Sequence, residues 1–145
     1  MNDYKDGVSQ ENVDQLLRIY EAFGRRDNES VFAEYDPDVE WNMEGYLNWP
    51  GKRSYRGAEG VREFFSDWLR DFDDFQADAL DPLDLGDRVL FTVHDRASGK
   101  GSGVPIERYH AQVWTFRDGK VVKIEVFDSR ESALAAHPPA GGAEE

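Results

Sequence analysis

The chain has 145 residues and no cysteine, and its 17 Lys and Arg residues against 30 Asp and Glu residues give a formal net charge of −13. This length suits one domain that can bury a core and an internal cavity. The charge argues against nucleic acid or an anionic membrane as partner, because both require a cationic protein surface. The lack of cysteine excludes disulfides, thiolate nucleophiles and cysteine-ligated metal sites. We expect a cytoplasmic protein, since we find neither a signal segment nor an apolar run of membrane-spanning length.

Two helices are predicted at the beginning of the chain. The apolar spacing from Val13 to Phe23 indicates a helix that starts at an N-cap near Ser9 and ends near Arg26. Residues 1–8 are then expected to be a flexible terminus. A second, short helix follows, with Asp27 or Asn28 as its cap. Its apolar face comprises Val31, Phe32 and Tyr35.

The next segment combines one strand, one loop and one helix. Strict alternation of apolar and polar residues over 39–44 predicts a half-buried strand with Trp41 facing inward. Residues 45–56 are predicted to form a loop. A broad aromatic stripe then predicts a third helix from about Ala58, which must cover a sheet or a cavity.

The second half of the chain reads as strands joined in hairpins. Residues 75–85 form a strand pattern that Pro82 interrupts, and residues 88–97 form a clearer one. Residues 108–128 predict two further strands around a three-residue turn, Arg117–Gly119. The resulting inner face changes from apolar to polar side chains, as a small-molecule pocket requires. The predicted register pairs Trp114 with Val122, Gln112 with Ile124, His110 with Val126, and Arg108 with Asp128.

These elements together predict an α+β fold. Three to four helices are expected to pack on a curved antiparallel or mixed sheet and to enclose a pocket. Asp128 or Ser129 is predicted to cap a last short helix that ends near His137. The domain then spans residues 9–137, and residues 138–145 are expected to be a disordered tail.

Five local strings, spread over nearly the whole chain, carry a family resemblance: Ile19–Phe23, Asp36–Trp41, Tyr55–Phe65, Gly86–Val89 and Val113–Val121. They resemble the SnoaL-like branch of the nuclear transport factor 2 superfamily. This resemblance implies a cone-shaped sheet around a pocket, and a homodimer. The branch includes polyketide cyclases, and the superfamily also contains binders without catalysis, so the fold alone does not settle the function.

Ketosteroid isomerase is a more distant relative in this resemblance. It uses an Asp base together with a Tyr and a protonated Asp as oxyanion donors. The matching strings place the Tyr on Tyr20, the Asp base on Trp41 and the protonated Asp on Gln112. Two of three roles are changed, which argues against that mechanism here. Limonene epoxide hydrolase is similar in fold, but its Arg-x-Asp strand pattern is absent from this sequence.

Four residues are candidates for catalysis. His110 either acts as general base or is a structural histidine, and Asp128 either is the base, or orients His110, or caps the last helix. The Tyr20 hydroxyl and the Gln112 amide need partners on an apolar face, and a substrate carbonyl is one candidate. Asp95 either reaches the mouth of the pocket or is solvated at its strand end.

Aromatic side chains are the candidates for substrate binding. Their stripes fit an ordinary core, but they also suit a flat aromatic ligand. Tyr46 and Trp49 are candidates for a lid over the mouth, or for a loop that packs on its own domain. The candidate binding residues are Trp41, Phe65, Trp68, Phe91 and Trp114.

Two functions remain open at this level. The first is an enzyme that acts on a small apolar carbonyl compound by acid/base chemistry without a cofactor, such as an isomerase, cyclase or lyase. The second is a non-catalytic small-ligand-binding or dimerisation domain. We expect no metal site, because the acidic cluster around Asp71, Asp73 and Asp74 lacks regular ligand spacing. The strand face with Val113 and Phe127 is consistent with a homodimer.

Overall fold

The structure is a computed structural model that describes residues 2–139, and it describes side chains from residue 10 onward. None of the helices in this part of the chain combines the length and the apolar character needed to cross a bilayer. A short 3-10 turn, Leu69–Asp71, follows the third helix. The helices are α1 (Asn2–Gly24), α2 (Asn28–Ala33), α3 (Gly57–Trp68) and α4 (Arg130–Ala136). The strands are β1 (Tyr35–Gly45), β2 (Ser54–Arg56), β3 (Phe72–Asp84), β4 (Arg88–Gly99), β5 (Pro105–Arg117) and β6 (Lys120–Phe127).

The strands form one curved, unclosed sheet in the order β2-β1-β6-β5-β4-β3. The β1–β6 pair is parallel, and every other neighbouring pair is antiparallel. The α+β fold with a mixed sheet is therefore confirmed. Buried side chains from α1, α3 and the inner face of the sheet form the main core.

One helix start differs from its prediction, and two agree with a predicted alternative. Helix α1 begins at Asn2, so Ser9 lies inside the helix and most of the expected flexible terminus is helical. A serine favours a helix start but does not impose one. The Asp27 carboxylate caps α2 by accepting from the Ser30 backbone N–H at 3.2 Å. At α4 the cap is Ser129, which forms a capping box with Ser132, and not Asp128.

The predicted register of the β5–β6 hairpin is wrong. Asp118 and Gly119 both have positive φ, 53° and 77°, which gives a two-residue turn that pairs Arg117 with Lys120. A bulge at Val122 then restores the inward parity further along the hairpin. The observed pairs are Phe116 with Val121, Trp114 with Ile124 and Gln112 with Val126, while Arg108 lies opposite Asp95 of β4.

Two further strands differ from their predictions, and both lie at an edge of the sheet. Strand β3 continues through Pro82, because it lies at the edge of the sheet and its register shifts between Leu80 and Leu83. The predicted loop over 45–56 ends in the short edge strand β2, which pairs with β1. Three residues are too few for a recognisable alternation.

The outer face of the sheet is covered by the chain itself. Val113 and Phe127 are buried there with Leu90 and Ala111, beneath Ala133 of α4. The sequence suggested this face as an exposed dimer surface, and that suggestion is wrong because α4 packs on it. The expectation of a homodimer therefore loses this support. The part of the expected tail from residue 140 onward lies outside the described residues.

We predict that Ala133→Asp lowers the free energy of unfolding by about 3 kcal/mol or more, because it places an unpaired charge beneath α4. Ala135→Asp, at an exposed position of the same helix, is the matched control. We expect it to cost less than about 1 kcal/mol, which is the difference in helix propensity. Urea denaturation measures both values. Equal costs would contradict the packing of α4 on the sheet.

Candidate functional site

A cavity lies between the concave face of the sheet and helices α1 and α3. Four of the five predicted binding aromatics line it, together with Phe23, Phe64 and Phe75. Phe91 is absent from the lining. It lies behind the cavity wall, with its ring centroid 5.5 Å from that of Tyr20 and 5.7 Å from that of Trp114. The four aromatics are Trp41, Phe65, Trp68 and Trp114.

The cavity is tight. The space that protein atoms leave empty is about 520 Å³, open mouth included, but the centres of water molecules can occupy only about 50 Å³ of it. A ligand therefore finds only about 50 Å³ without side-chain movement, because the 520 Å³ also includes narrow gaps between atoms. A few waters or a small group fit as the structure stands. A flat aromatic ligand requires the aromatic side chains to move.

A chain of hydrogen bonds crosses one end of this cavity. His110 Nδ1 lies 2.9 Å from Asp95 Oδ2, and His110 Nε2 lies 3.0 Å from Gln112 Nε2. Gln112 Oε1 accepts from the Tyr20 hydroxyl at 3.2 Å and from the Trp114 indole N–H at 2.8 Å. Three of the predicted catalytic residues, Tyr20, His110 and Gln112, are therefore brought together.

The Trp114 indole fixes the direction of the chain. An indole nitrogen can only donate, so the oxygen of the Gln112 amide must face Trp114 and its nitrogen must face His110. The amide then donates to His110 Nε2, which carries no proton. The proton of the imidazole is on Nδ1 and is donated to Asp95. This is the tautomer in which a carboxylate orients a histidine for proton transfer.

Burial governs the electrostatics of this polar end. Asp95, His110 and Gln112 are each at most 5% exposed. Burial, with smaller contributions from the charge of Asp95 and from Tyr35, raises the pKa of the Tyr20 phenol well above its usual range. Burial also raises the pKa of Tyr35. Both phenols therefore keep their protons at neutral pH, and Tyr20 stays a hydrogen-bond donor.

Asp95 is the residue whose role the sequence left unresolved. It has the same parity as Phe91 and Val93, which are fully buried, so alternation alone placed it on the inner face. Its place at the end of the predicted strand favours solvation instead, because an Asp at a strand end is usually solvated. Strand β4 in fact continues to Gly99, and this keeps Asp95 inside the sheet. His94, of opposite parity, faces outward and contacts Glu107.

The structure does not place Asp128 in the cavity. Its side chain is exposed and accepts from the Leu47 backbone N–H at 3.1 Å. It lies in an outer groove with Tyr46, Trp49 and Arg108. The Tyr46 ring meets the His110 ring edge-on, with centroids 6.0 Å apart, and so covers the polar end from outside.

Nothing in the geometry indicates a metal site. Within the described residues, no group of three or more His, Asp or Glu side chains is arranged to hold an ion. The acidic residues Asp71, Asp73 and Asp74 are exposed.

We predict that nitrogen chemical shifts will find the His110 proton on Nδ1 in the wild type. Trp114→Phe removes the indole donor, frees the Gln112 amide to rotate, and should populate the Nε2–H tautomer. Side-chain nitrogen–proton correlation spectra measure this, and His94 on the outer face is the internal control. A wild-type proton on Nε2 would refute the assigned direction of the chain.

Comparison with known proteins places the fold. TerC, co-crystallised with polyporic acid, is 24% identical and has a TM-score of 0.71, covering 89% of this chain and 97% of TerC. An NTF2-like protein from Burkholderia thailandensis E264 is 26% identical with a TM-score of 0.68, over 90% of this chain and 97% of that one. A SnoaL-like protein from Jannaschia sp. CCS1, provisionally named a polyketide cyclase, is 19% identical with a TM-score of 0.70, over 91% and 96%.

A sequence model shows the family directly. No curated protein matches the chain. The model described as SnoaL-like domain matches residues 16–124, which include α1 from Leu16 onward and most of the sheet. The structural neighbours share the NTF2-like fold. The chain therefore belongs to the SnoaL-like domain family.

Proposed function

We propose that this chain is a cofactor-independent acid/base enzyme that acts on a small, largely apolar carbonyl compound. The observation that carries the proposal is the buried chain Asp95–His110–Gln112–Tyr20 at one end of a cavity lined by aromatic rings. A buried set of hydrogen-bonded polar groups at the end of an apolar cavity is typical of ligand-binding and active sites.

His110 is the proton-transfer group in this proposal. Its Nε2 takes a proton from the carbon next to the substrate carbonyl. The electron pair of that C–H bond forms a carbon–carbon double bond, and the π electrons of the carbonyl move to its oxygen to give an enolate. Asp95 orients the ring and stabilises the imidazolium that forms. The catalytic role that the sequence left open between His110 and Asp128 therefore passes to His110, because Asp128 lies outside the cavity.

Tyr20 and Gln112 are the donors for the enolate oxygen. In the structure the Gln112 N–H₂ group donates to His110 Nε2, so a substrate must displace it to reach the base. The displaced amide can then donate to the developing oxyanion beside the Tyr20 hydroxyl. Two donors at one oxygen stabilise a developing negative charge strongly in a site that excludes water.

The relatives are consistent with this class of ligand. TerC was crystallised with polyporic acid, and the Jannaschia protein carries the provisional name of a polyketide cyclase. These names belong to those proteins. They support a carbonyl-bearing ligand for this chain only by analogy of fold.

A second function has an observation of its own. The Gln112 amide donates a hydrogen bond to His110 Nε2, so that nitrogen is not free to accept a proton. In the resemblance to ketosteroid isomerase, Trp41 falls at the position of the Asp base. A cavity with these features also suits a carrier or sensor that binds an apolar ligand without converting it. Such a protein would bind the same compounds and release them unchanged.

Ligand screening and exchange kinetics separate the two functions. Thermal shift identifies carbonyl compounds that bind, since a ligand at 100 times its Kd stabilises by about 2.7 kcal/mol. Proton NMR in deuterated buffer then follows exchange of the protons next to the carbonyl. We expect His110→Ala and Asp95→Asn each to slow exchange by about 100-fold or more, because they remove the base and the charge that stabilises it.

His94→Ala, on the same strand pair but the outer face, is the matched control and should keep the wild-type rate. A wild-type rate in both His110→Ala and Asp95→Asn would rule out this assignment of the base. Stabilising ligands that show no exchange with wild type would favour the binding function instead.

A further inference from the structure

One carboxylate oxygen of the buried hydrogen-bond chain accepts no hydrogen bond from the described residues. Asp95 Oδ2 accepts from His110, but no described protein group donates a hydrogen bond to Asp95 Oδ1, which is sealed from solvent. A buried carboxylate ordinarily accepts several hydrogen bonds, and an unmet acceptor in a protein interior is costly. Asp95 also lines the cavity. The unmet acceptor therefore belongs to a residue of the cavity wall, and a ligand group reaches it when the side chains that seal it move.

The cation opposite Asp95 on the neighbouring strand does not form a hydrogen bond with this oxygen. Arg108 is directly opposite Asp95 in the β4–β5 register. Its guanidinium lies over the rings of Trp68 and Phe72 instead, 5.5 Å and 5.2 Å from their centroids, and among the described residues it forms no ion pair. No Lys or Arg side chain is part of the described cavity lining. The polar end thus has more acceptors than donors and carries an uncompensated negative charge.

We propose that the ligand of this cavity carries a phenol or enol hydroxyl that donates a hydrogen bond to Asp95 Oδ1. The proposal rests on the cavity being the ligand site of the proposed function, but not on catalysis there. It names the substrate class more closely: an apolar, aromatic-sized compound with a hydroxyl donor at the end that meets Asp95.

Other groups fit this end less well. A ligand carboxylate would repel Asp95, and no lining cation offsets that repulsion. A ligand ammonium would lose its hydration in a cavity so apolar that burial raises the pKa of the Tyr20 and Tyr35 phenols. An ether or ketone oxygen placed against Asp95 Oδ1 only accepts, and would leave that acceptor unmet. A neutral hydroxyl supplies the missing proton without a charge.

The Asp95→Asn variant changes the donor preference while it keeps the shape of the side chain. His110 donates from Nδ1, so the oxygen of the new amide must face His110. The amide nitrogen then occupies the position of Oδ1 and turns an acceptor into a donor. That donor serves a hydroxyl oxygen and an ether oxygen equally well.

Phenol and anisole are the probes, titrated against the full chain and followed by the indole N–H signals of Trp41 and Trp114. We expect wild type to bind phenol about tenfold more tightly than anisole, because only phenol can donate to Asp95. In Asp95→Asn the ratio should fall to about 2 or less, since the amide nitrogen donates to either oxygen. Asp78→Asn, an exposed Asp on the neighbouring strand β3, should keep the wild-type ratio.

Several results would overturn the proposal. They are anisole binding as tightly as phenol to wild type, an unchanged ratio in Asp95→Asn, tighter binding of benzylammonium than of phenol, or no phenol binding at millimolar concentration. Comparison with toluene, which matches phenol in size, decides the question in wild type if Asp95→Asn does not fold. Turnover plays no part in these titrations, so a failed hydroxyl preference and a failed catalytic role are separate results.

Discussion

The hydrogen bond from the Trp114 indole to the Gln112 amide oxygen determines the direction of the hydrogen bonds from Tyr20 to Asp95. Because an indole can only donate, it orients the amide, the amide sets the tautomer of His110, and His110 turns its proton towards Asp95. A residue that would otherwise count as core thereby controls the chemistry at the far end of the chain. At that end one carboxylate oxygen, Asp95 Oδ1, has no hydrogen-bond partner among the described residues.

The sheet makes this arrangement possible through one irregularity. The two-residue turn at Asp118–Gly119 alone would face the β6 side chains the wrong way along most of the hairpin. The bulge at Val122 corrects the parity, so that Trp114 and Gln112 face the same side as Ile124 and Val126. His110 lies beyond the last residue pair with β6, where its nearest strand partner is β4 and its neighbour is Asp95.

Much of this could be predicted from the sequence, and the failures have physical causes. Alternation along β4 and β5 correctly placed His110 and Gln112 inside, because a half-buried strand imposes that pattern. The bulge was missed, because turn chemistry and parity favoured different registers and only tertiary packing decides between them. Asp128 lies just beyond β6, which ends at Phe127, so strand alternation does not control its side chain. The packing of α4 on Val113 could not be predicted, because a seven-residue helix is too short to show a clear apolar face in its sequence.

The relation between Trp114 and Asp95 tests the hydrogen-bond chain most directly, because the hydrogen bonds that join the two residues run through Gln112 and His110. A double-mutant cycle with Trp114→Phe and Asp95→Asn measures their coupling from the free energies of unfolding in urea. Members of one hydrogen-bond network couple by about 0.5 kcal/mol or more, and we expect a value in that range. If the two costs add to within about 0.3 kcal/mol, the four residues do not act as a connected chain.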